Sequence, residues 1–301
     1  MIKMESHLRI TKKQALVLCI LVYISAGAAA IGSYFPFSSL HPILIAGIAN
    51  IAATIIVFLF SVSLDNSSMY DPYWSLAPIG IGFFYFSLYP DGSPAAIRQI
   101  LVISLLLIWG VRLTLNWAFQ WRGIAHEDWR YVNMRKNYEK TYWLVSFFGI
   151  HFFPTAMIFF GSIPLFTILS RSGNPLGYAD FIGAALMAGA IILEFTADRQ
   201  LHHFLRGNQG KKSICRNGIW NYSRHPNYLG EILFWWGIFF FGFSAGFSWL
   251  MLSGPVLITL LFVGISIPMM EKHLMVSRNQ YKFYQEDTSV LIPFPKKKNP
   301  R

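Results

Sequence analysis

Apolar residues fill long, almost uninterrupted runs along this chain, and short polar segments separate them. The runs lie at roughly 14–33, 42–64, 74–89, 97–119, 144–169, 178–201, 226–244 and 247–269. A helix needs about 20 mostly apolar residues to cross the hydrocarbon core of a bilayer. The third run is short, and only a tight turn separates the last two. The pattern predicts an all-α, polytopic transmembrane helical bundle of about seven or eight spans. Seven spans with a re-entrant piece is the alternative to eight.

The composition agrees with a protein whose surface faces lipid. Hydrophobic residues make up 54% of the chain, aromatic residues 17% and charged residues 13%, whereas soluble domains carry about 25% charged residues. A soluble globule of this length would need far more polar covering. Because no repeat and no low-complexity linker divides the chain, we predict a single integral membrane domain over residues 1–301.

The basic residues are distributed unevenly between the polar segments. Of the 25 lysines and arginines, only Arg98 and Arg171 fall on the side that follows the odd-numbered runs. Cytoplasmic segments are enriched in Lys and Arg. We therefore predict cytoplasmic termini and cytoplasmic loops at 120–143 and 202–225. The same reading of the charge excludes nucleic-acid binding, since no basic aromatic surface remains once the spans are removed.

Two acidic residues lie at membrane depth near the inner end of the sixth run. Glu194 and Asp198 are four residues apart, so they share one face of a helix. Glu194 lies a full turn inside apolar sequence, where a carboxylate needs a polar partner or a water-filled cavity. A solvated helix end with a local ion pair is the alternative, but the position of Glu194 favours a functional role.

The segment NGIWNYSRHPNYLGE, at 217–231, begins the seventh run. Pro226 suits the first turn of a helix, and Arg224 stands just before it, where the helix N-terminus favours anions. Asn227 and Glu231 lie four residues apart on the same side of that helix. The segment also supplies Tyr222, His225 and Tyr228. It predicts a site for a phosphate or carboxylate. An interfacial aromatic and arginine anchor is the alternative, but it does not explain a glutamate inside an apolar helix.

Two further positions carry polar side chains at the ends of spans. Asp71 precedes Pro72 at the start of the third run, which is also an ordinary way to begin a helix. Arg112 lies in the fourth run, some two turns before the end of the span. Its side chain can extend to the interface, or it can face the acidic residues of the sixth run or a bound phosphate. The sequence contains neither a glycine-rich phosphate loop nor an HExxH zinc motif.

Five blocks together resemble one family. GIWNYSRHPNYLGE, EFTADRQ, DPYW, HEDWRY and the C-terminal YKFY…LIPF are similar to the DUF1295 family. This is the bacterial branch of the steroid 5-alpha-reductase C-terminal superfamily, and the resemblance covers about residues 60–295. The RHPNYLGE block is also similar to sterol C=C reductases and to isoprenylcysteine carboxyl methyltransferase. The ADRQ and DPYW blocks favour the reductase-like branch.

The resemblance implies a helical membrane fold with a cofactor cavity open to the cytoplasm. In steroid 5-alpha-reductases, NADPH reduces a C=C bond conjugated to a carbonyl in a lipid-derived substrate. The family's cofactor contacts correspond here to Arg112, Glu194, Asp198, Tyr222, Arg224, His225, Asn227, Tyr228 and Glu231, and loosely to Glu271 and Arg278. The basic candidates for binding the 2'-phosphate are Arg206, Lys211, Lys212 and Arg216.

This chain departs from the steroid reductases at the acid that polarises the carbonyl. Trp109 stands where the family tyrosine is expected, and Trp cannot protonate an oxyanion. The nearest counterpart of the family glutamate is Asp71. We therefore expect the catalytic acid to be Asp71 with Tyr73, or Tyr70.

These observations lead to an expected function. The chain is interpreted as an NADPH-dependent oxidoreductase of lipid metabolism, acting on a conjugated C=C bond in a lipid-soluble, possibly steroid-like substrate. The alternatives are an S-adenosylmethionine-dependent membrane methyltransferase and a non-enzymatic lipid-binding membrane protein. The expected partners are the substrate and membrane lipids, and the expected location is the bacterial inner membrane. We expect no metal site.

Overall fold

A computed structural model describes residues 10–88, 96–170, 174–208, 213–278 and 280–294. These residues contain no β-strand, and Ser223 and Ser289 form an isolated bridge. The twelve α-helices of the described part are α1 (Lys12–Phe37), α2 (Pro42–Ser63), α3 (Tyr73–Ser87), α4 (Ala96–Gln120), α5 (Trp129–Tyr138), α6 (Tyr142–Ser146), α7 (Phe153–Ser170), α8 (Tyr178–Gly207), α9 (Pro226–Gly246), α10 (Ser253–Leu261), α11 (Ile267–Ser277) and α12 (Tyr281–Asp287). The prediction of an all-α fold is confirmed.

Within the described residues, seven helical stretches are long and apolar enough to cross a membrane. They are Lys12–Phe37, Pro42–Ser63, Ala96–Gln120, Trp129–Ser170, Tyr178–Gly207, Pro226–Gly246 and Trp249–Ser277. The third predicted run forms α3, which has 15 residues and is about 22 Å long at 1.5 Å per residue. It is shorter than the hydrocarbon core of about 30 Å. Seven long helices and one shorter piece therefore describe the protein better than eight equal spans.

Local sequence signals explain where several helices begin. Thr11 caps α1 through a reciprocal pair of hydrogen bonds with Gln14, and the Asp128 side chain accepts a hydrogen bond from the first turn of α5. Pro42 and Pro226 occupy the first turns of α2 and α9. Proline fits there because the first turn leaves its backbone N–H groups without helical partners.

The chain divides into two compact units, and two of the boundaries between them fall inside described helices. The first unit comprises Met1–Pro90 and Trp109–Ser162, and the second comprises Asp91–Ile108 and Ile163–Arg301. The boundaries at 108/109 and 162/163 lie within α4 and α7, and the one at 90/91 lies outside the described residues. In the first unit, a short 3₁₀ turn, Ser67–Tyr70, precedes α3, and a π-helical turn, Phe147–Phe152, joins α6 to α7.

Glycines bring α8 and α9 into close contact in the second unit. A Cβ atom added at Gly230 would lie 2.3 Å from Cγ of Glu194, and one added at Gly237 would lie 2.5 Å from Cγ of Met187. Likewise, a Cβ atom at Gly183 would lie 2.8 Å from the Phe241 ring. Small residues at such positions let membrane helices pack with their backbones close together.

A buried ion pair joins α4 to α8 in the same unit. Arg98 Nε donates to Asp180 Oδ1 at 2.5 Å, and Arg98 Nη2 donates to Asp180 Oδ2 at 2.9 Å. The Arg98 guanidinium also donates to the carbonyls of Asn174 and Pro175. The sequence suggests only that both charges belong to short loops or helix ends. The structure pairs them and excludes Arg98 from the protein surface.

Candidate functional site

Asp71 lies between the 3₁₀ turn Ser67–Tyr70 and α3 and is only partly buried. Its Oδ1 accepts a hydrogen bond of 2.6 Å from the Tyr131 hydroxyl. Burial raises the pKa of Asp71 to about 6, although the Arg130 charge and the Tyr131 hydrogen bond both favour the ionised form. A carboxyl group with this pKa exchanges its proton near neutral pH, as a general acid must.

The other two predicted acids are buried and hydrogen-bonded to their neighbours. The rings of Tyr70 and Tyr73 stack with their centroids 5.0 Å apart. The Tyr70 hydroxyl lies 2.7 Å from Oγ1 of Thr155, and the Tyr73 hydroxyl donates to Oδ1 of Asn50 at 2.6 Å. Among Asp71, Tyr70 and Tyr73, Asp71 is therefore the most accessible acidic group.

A loop between α4 and α5 holds the segment that carries Asp71. Asn66 Nδ2 donates to the Ile124 carbonyl at 2.6 Å, and the backbone N–H of Ser67 donates to Oε1 of Glu127 at 2.8 Å. The backbone N–H of Asp128 donates to the Ser68 hydroxyl at 2.9 Å. The HEDWRY and DPYW blocks, far apart in sequence, thus form one hydrogen-bonded unit.

Sequence reasoning missed Tyr131 as the partner of Asp71. The sequence predicts a cytoplasmic loop at 120–143. The structure has α5 in that place and buries Tyr131, which is 8% exposed. The sequence marks HEDWRY only as a family block. The signal that could have singled out Tyr131 is its aromatic hydroxyl, directly after the arginine of that block.

The predicted residues of α4 lie in the first unit. Arg112 is partly buried, and Trp109 is fully buried. One turn beyond Arg112, Asn116 accepts a hydrogen bond from Gln120 at 3.1 Å. The tryptophan that stands where the family tyrosine is expected is therefore a core residue of this unit.

The acidic residues of α8 and α9 occupy buried or partly buried positions in the second unit. Glu194 is 2% exposed and Glu231 is 7% exposed, while Asp198 is partly buried. The Glu194 side chain lies against the backbone of Gly230, one residue before Glu231. Asn227, in the first turn of α9, is partly exposed. Two carboxyl groups inside apolar helices are costly unless they have polar partners or a ligand.

Arg224, His225 and Glu271 contact one another directly. Arg224 Nε donates to Oε1 of Glu271 at 2.7 Å, and His225 Nε2 lies 3.2 Å from the same oxygen. Arg224 Nη1 also donates to the carbonyls of Gln285 and Thr288 at 2.8 and 2.6 Å. The Arg224 guanidinium thus binds the end of α12. Its proposed contact with a diphosphate stays a prediction.

The remaining predicted residues surround this cluster or fall outside the described part. The Tyr228 ring stacks on His225 with centroids 5.3 Å apart, while Tyr222 is 46% exposed. Arg278 ends α11. Arg206 is exposed, and Arg216 lies over the Tyr284 ring. Outside the described residues lie Asp91, Arg171, Lys211, Lys212 and the basic tail 295–301.

The helices and the polar residues within them define a multi-pass α-helical membrane protein. Residues 57–288 match the family described as "Protein of unknown function (DUF1295)", and the chain belongs to this family. The chain is also similar to the uncharacterized protein C594.04c of Schizosaccharomyces pombe. The two are 27% identical over 260 residues, covering 77% of this chain and 74% of that protein. No solved structure matches the chain. Membership of this family is consistent with a membrane protein of the steroid reductase-like superfamily.

Proposed function

We propose that this protein is a membrane-embedded, NADPH-dependent reductase of a conjugated C=C bond in a lipid-soluble substrate. The proposal rests on the Asp71 carboxyl group. This group accepts a hydrogen bond of 2.6 Å from the Tyr131 hydroxyl, and its pKa is about 6. Such a group can protonate or hydrogen-bond an oxygen that gains negative charge. The nicotinamide cofactor supplies the hydride when bound, and the protein supplies orientation and the acid.

The chemistry assigns distinct roles to the residues around Asp71. As the C=C bond is reduced, negative charge develops on the conjugated carbonyl oxygen, and protonated Asp71 transfers its proton to that oxygen, leaving an enol that tautomerises to the saturated carbonyl compound. Tyr131 orients the carboxyl group. Arg130 stabilises the ionised form of Asp71. We therefore expect Asp71 to act in place of the glutamate and tyrosine that steroid reductases use.

The acidic residues of the second unit fit the polar groups of a dinucleotide. The carboxylates of Glu194 and Glu231 are buried in α8 and α9, and Asp198 and Asn227 are partly accessible. Carboxylate and amide groups accept hydrogen bonds from ribose hydroxyls and from a carboxamide. These four residues are the ones we propose to hold the ribose and nicotinamide.

Cofactor binding is tested by thermal unfolding of detergent-purified protein with NADPH, NADH or S-adenosylmethionine. A ligand that binds the native state raises the unfolding temperature by mass action. We expect a rise with NADPH, lost in Asp198→Asn and Glu231→Gln and kept in the control Glu286→Gln, whose side chain is exposed. A rise with S-adenosylmethionine alone would replace reduction by methyl transfer. The absence of any shift would favour a non-enzymatic, lipid-binding role.

Reduction itself is tested with the same protein and a set of apolar enones. We expect substrate-dependent oxidation of NADPH by the wild type and by Glu286→Gln. Asp71→Asn should retain the NADPH-dependent rise in unfolding temperature while losing turnover, because the amide cannot donate a proton to the enolate. Full turnover in Asp71→Asn would remove Asp71 from the mechanism while leaving the cofactor assignment intact.

A further inference from the structure

A continuous row of hydrogen bonds runs through the first unit from Glu127 to the imidazole of His151. The Tyr142 hydroxyl donates to Oε1 of Glu127 at 3.2 Å and lies 2.7 Å from Oγ of Ser67. Oγ of Ser67 lies 2.9 Å from Oγ of Ser146, which in turn lies 3.5 Å from Nδ1 of His151. Every member of the row is able both to accept and to donate a proton.

The inner end of the row is a histidine that has partners in either neutral tautomer. Nδ1 of His151 lies 3.0 Å from the Ser146 carbonyl, which accepts from a protonated Nδ1. Nε2 lies 3.1 Å from Oγ of Ser61, and the Ser61 hydroxyl lies 2.9 Å from the Val57 carbonyl. The Ser61 hydroxyl can therefore donate to Nε2, or donate to the carbonyl and accept from Nε2. A histidine that passes protons needs this freedom.

The surroundings of His151 are those of a functional side chain. Its side chain is fully buried and belongs to the π-helical turn Phe147–Phe152, within the long apolar stretch Trp129–Ser170. Such turns occur frequently at functional sites, and ionisable residues at membrane depth mark proton pathways. The His151 ring also lies 4.9 Å from the ring of Tyr70, the residue before Asp71.

The outer end of the row lies among charged and accessible groups. The Glu127 side chain is 11% exposed, and Arg135 Nε contacts its Oε2 at 3.3 Å. Arg135 also pairs with Asp65, whose side chain is 76% exposed. The Glu127 end of the row is therefore partly accessible to solvent, whereas the Ser67 and Ser146 hydroxyls are buried.

We propose that Glu127, Tyr142, Ser67, Ser146 and His151 form a proton-transfer path into the buried part of the first unit. The Glu127 carboxyl gives its proton to Tyr142, each hydroxyl passes its own proton to the next oxygen, and Nδ1 of His151 takes the last one. One proton moves inward, and no electrons are transferred. This path goes beyond the reductase proposal and does not depend on it.

The alternative is that the same bonds only hold the helices together. The two readings differ in how fast the buried imidazole exchanges protons with solvent. The protein is labelled with ¹⁵N-histidine, reconstituted in nanodiscs and transferred to D₂O. Replacement of the His151 ring N–H by N–D is then followed by NMR, with the signal assigned from His151→Asn.

A conducting path predicts fast exchange in the wild type and exchange about tenfold slower in Tyr142→Phe, because local opening of the structure is then the remaining route. Tyr138→Phe, at an exposed position of α5, is the matched control and should exchange like the wild type. If Tyr142→Phe does not fold, Ser67→Ala breaks the next link. Equally slow exchange in the wild type and in the folded variant would overturn the path. The measurement requires neither NADPH nor a substrate, so its result is separate from that of the reductase test.

Discussion

The Tyr131 hydroxyl donates a hydrogen bond of 2.6 Å to the Asp71 carboxyl group across 60 residues of sequence. This contact joins two sequence blocks of the first unit, DPYW and HEDWRY. It also changes the expected partner of Asp71, because the hydroxyls of Tyr70 and Tyr73 are occupied by Thr155 and Asn50. Tyr131 consequently orients the Asp71 carboxyl and, together with the Arg130 charge, favours its ionised form against the effect of burial.

Replacing Tyr131 by Phe should move the pH dependence of turnover. The hydrogen bond from Tyr131 lowers the pKa of Asp71, so its loss raises that pKa. Since the proposed acid acts in its protonated form, wild-type turnover should fall as the pH rises through about 6. In Tyr131→Phe this fall should begin at higher pH, with a lower maximal rate because the carboxyl is less well oriented. Rates are measured from pH 5 to 8, with Tyr138→Phe as control. An unchanged pH profile would separate Tyr131 from Asp71.

Replacing Asp71 by Asn should stabilise the protein at neutral pH. The pKa of Asp71 is about 6 in the folded protein and 3.8 in an unperturbed carboxyl, so folding favours the protonated form. The contribution of Asp71 to stability is therefore greatest below pH 4 and falls as the pH rises through 6. Because Asp71 is partly exposed, solvent screening reduces this destabilisation. We expect Asp71→Asn to gain about 1–2 kcal/mol in free energy of unfolding at pH 7.5 and nothing at pH 4. Denaturant unfolding at both pH values measures it. A loss of stability at pH 7.5 would show that the ionised carboxylate is well accommodated.

Replacing Gly230 by Ala should disturb the contact between α8 and α9. The added Cβ would lie 2.3 Å from Cγ of Glu194, so the glutamate side chain or the helices must shift. We expect a loss of about 1–3 kcal/mol and a smaller NADPH-dependent rise in unfolding temperature. Gly189→Ala on α8 is the control, because nothing lies within 4 Å of its Cβ position. Equal stability of the two variants would indicate that Glu194 moves aside at no cost.

Replacing Arg224 by Gln should loosen the C-terminal segment, residues 280–294, independently of any effect on cofactor binding. The Arg224 guanidinium holds Glu271 and two carbonyls at the end of α12, and breaking a buried pair by removing one partner costs about 3–5 kcal/mol. Limited proteolysis should cut Arg224→Gln within residues 280–294 faster than it cuts Lys282→Gln, which alters an exposed residue of α12. Unchanged proteolysis together with lost NADPH binding would instead assign Arg224 to the cofactor.

Hydropathy alone predicted the helical class and the seven long helices, because the bilayer imposes a length and a composition on each span. It did not distinguish α3 from a full span, since the short run is as apolar as its neighbours. Asp71 and Glu194 were found because charges beside or within apolar runs are visible in sequence. Tyr131 and His151 were not singled out, because their roles arise from contacts between segments that lie far apart in the chain.

The Arg98–Asp180 pair has a consequence for how the protein is made. Arg98 begins α4, and its partner lies 82 residues later, at the start of α8. An unpaired guanidinium is costly in hydrocarbon. The amino end of α4 therefore cannot reach its buried, paired position until α8, which carries Asp180, has left the ribosome. The membrane insertion machinery must shelter this end of α4, or leave it near the lipid headgroups, until α8 emerges. The order of synthesis therefore dictates the order in which these helices can assemble.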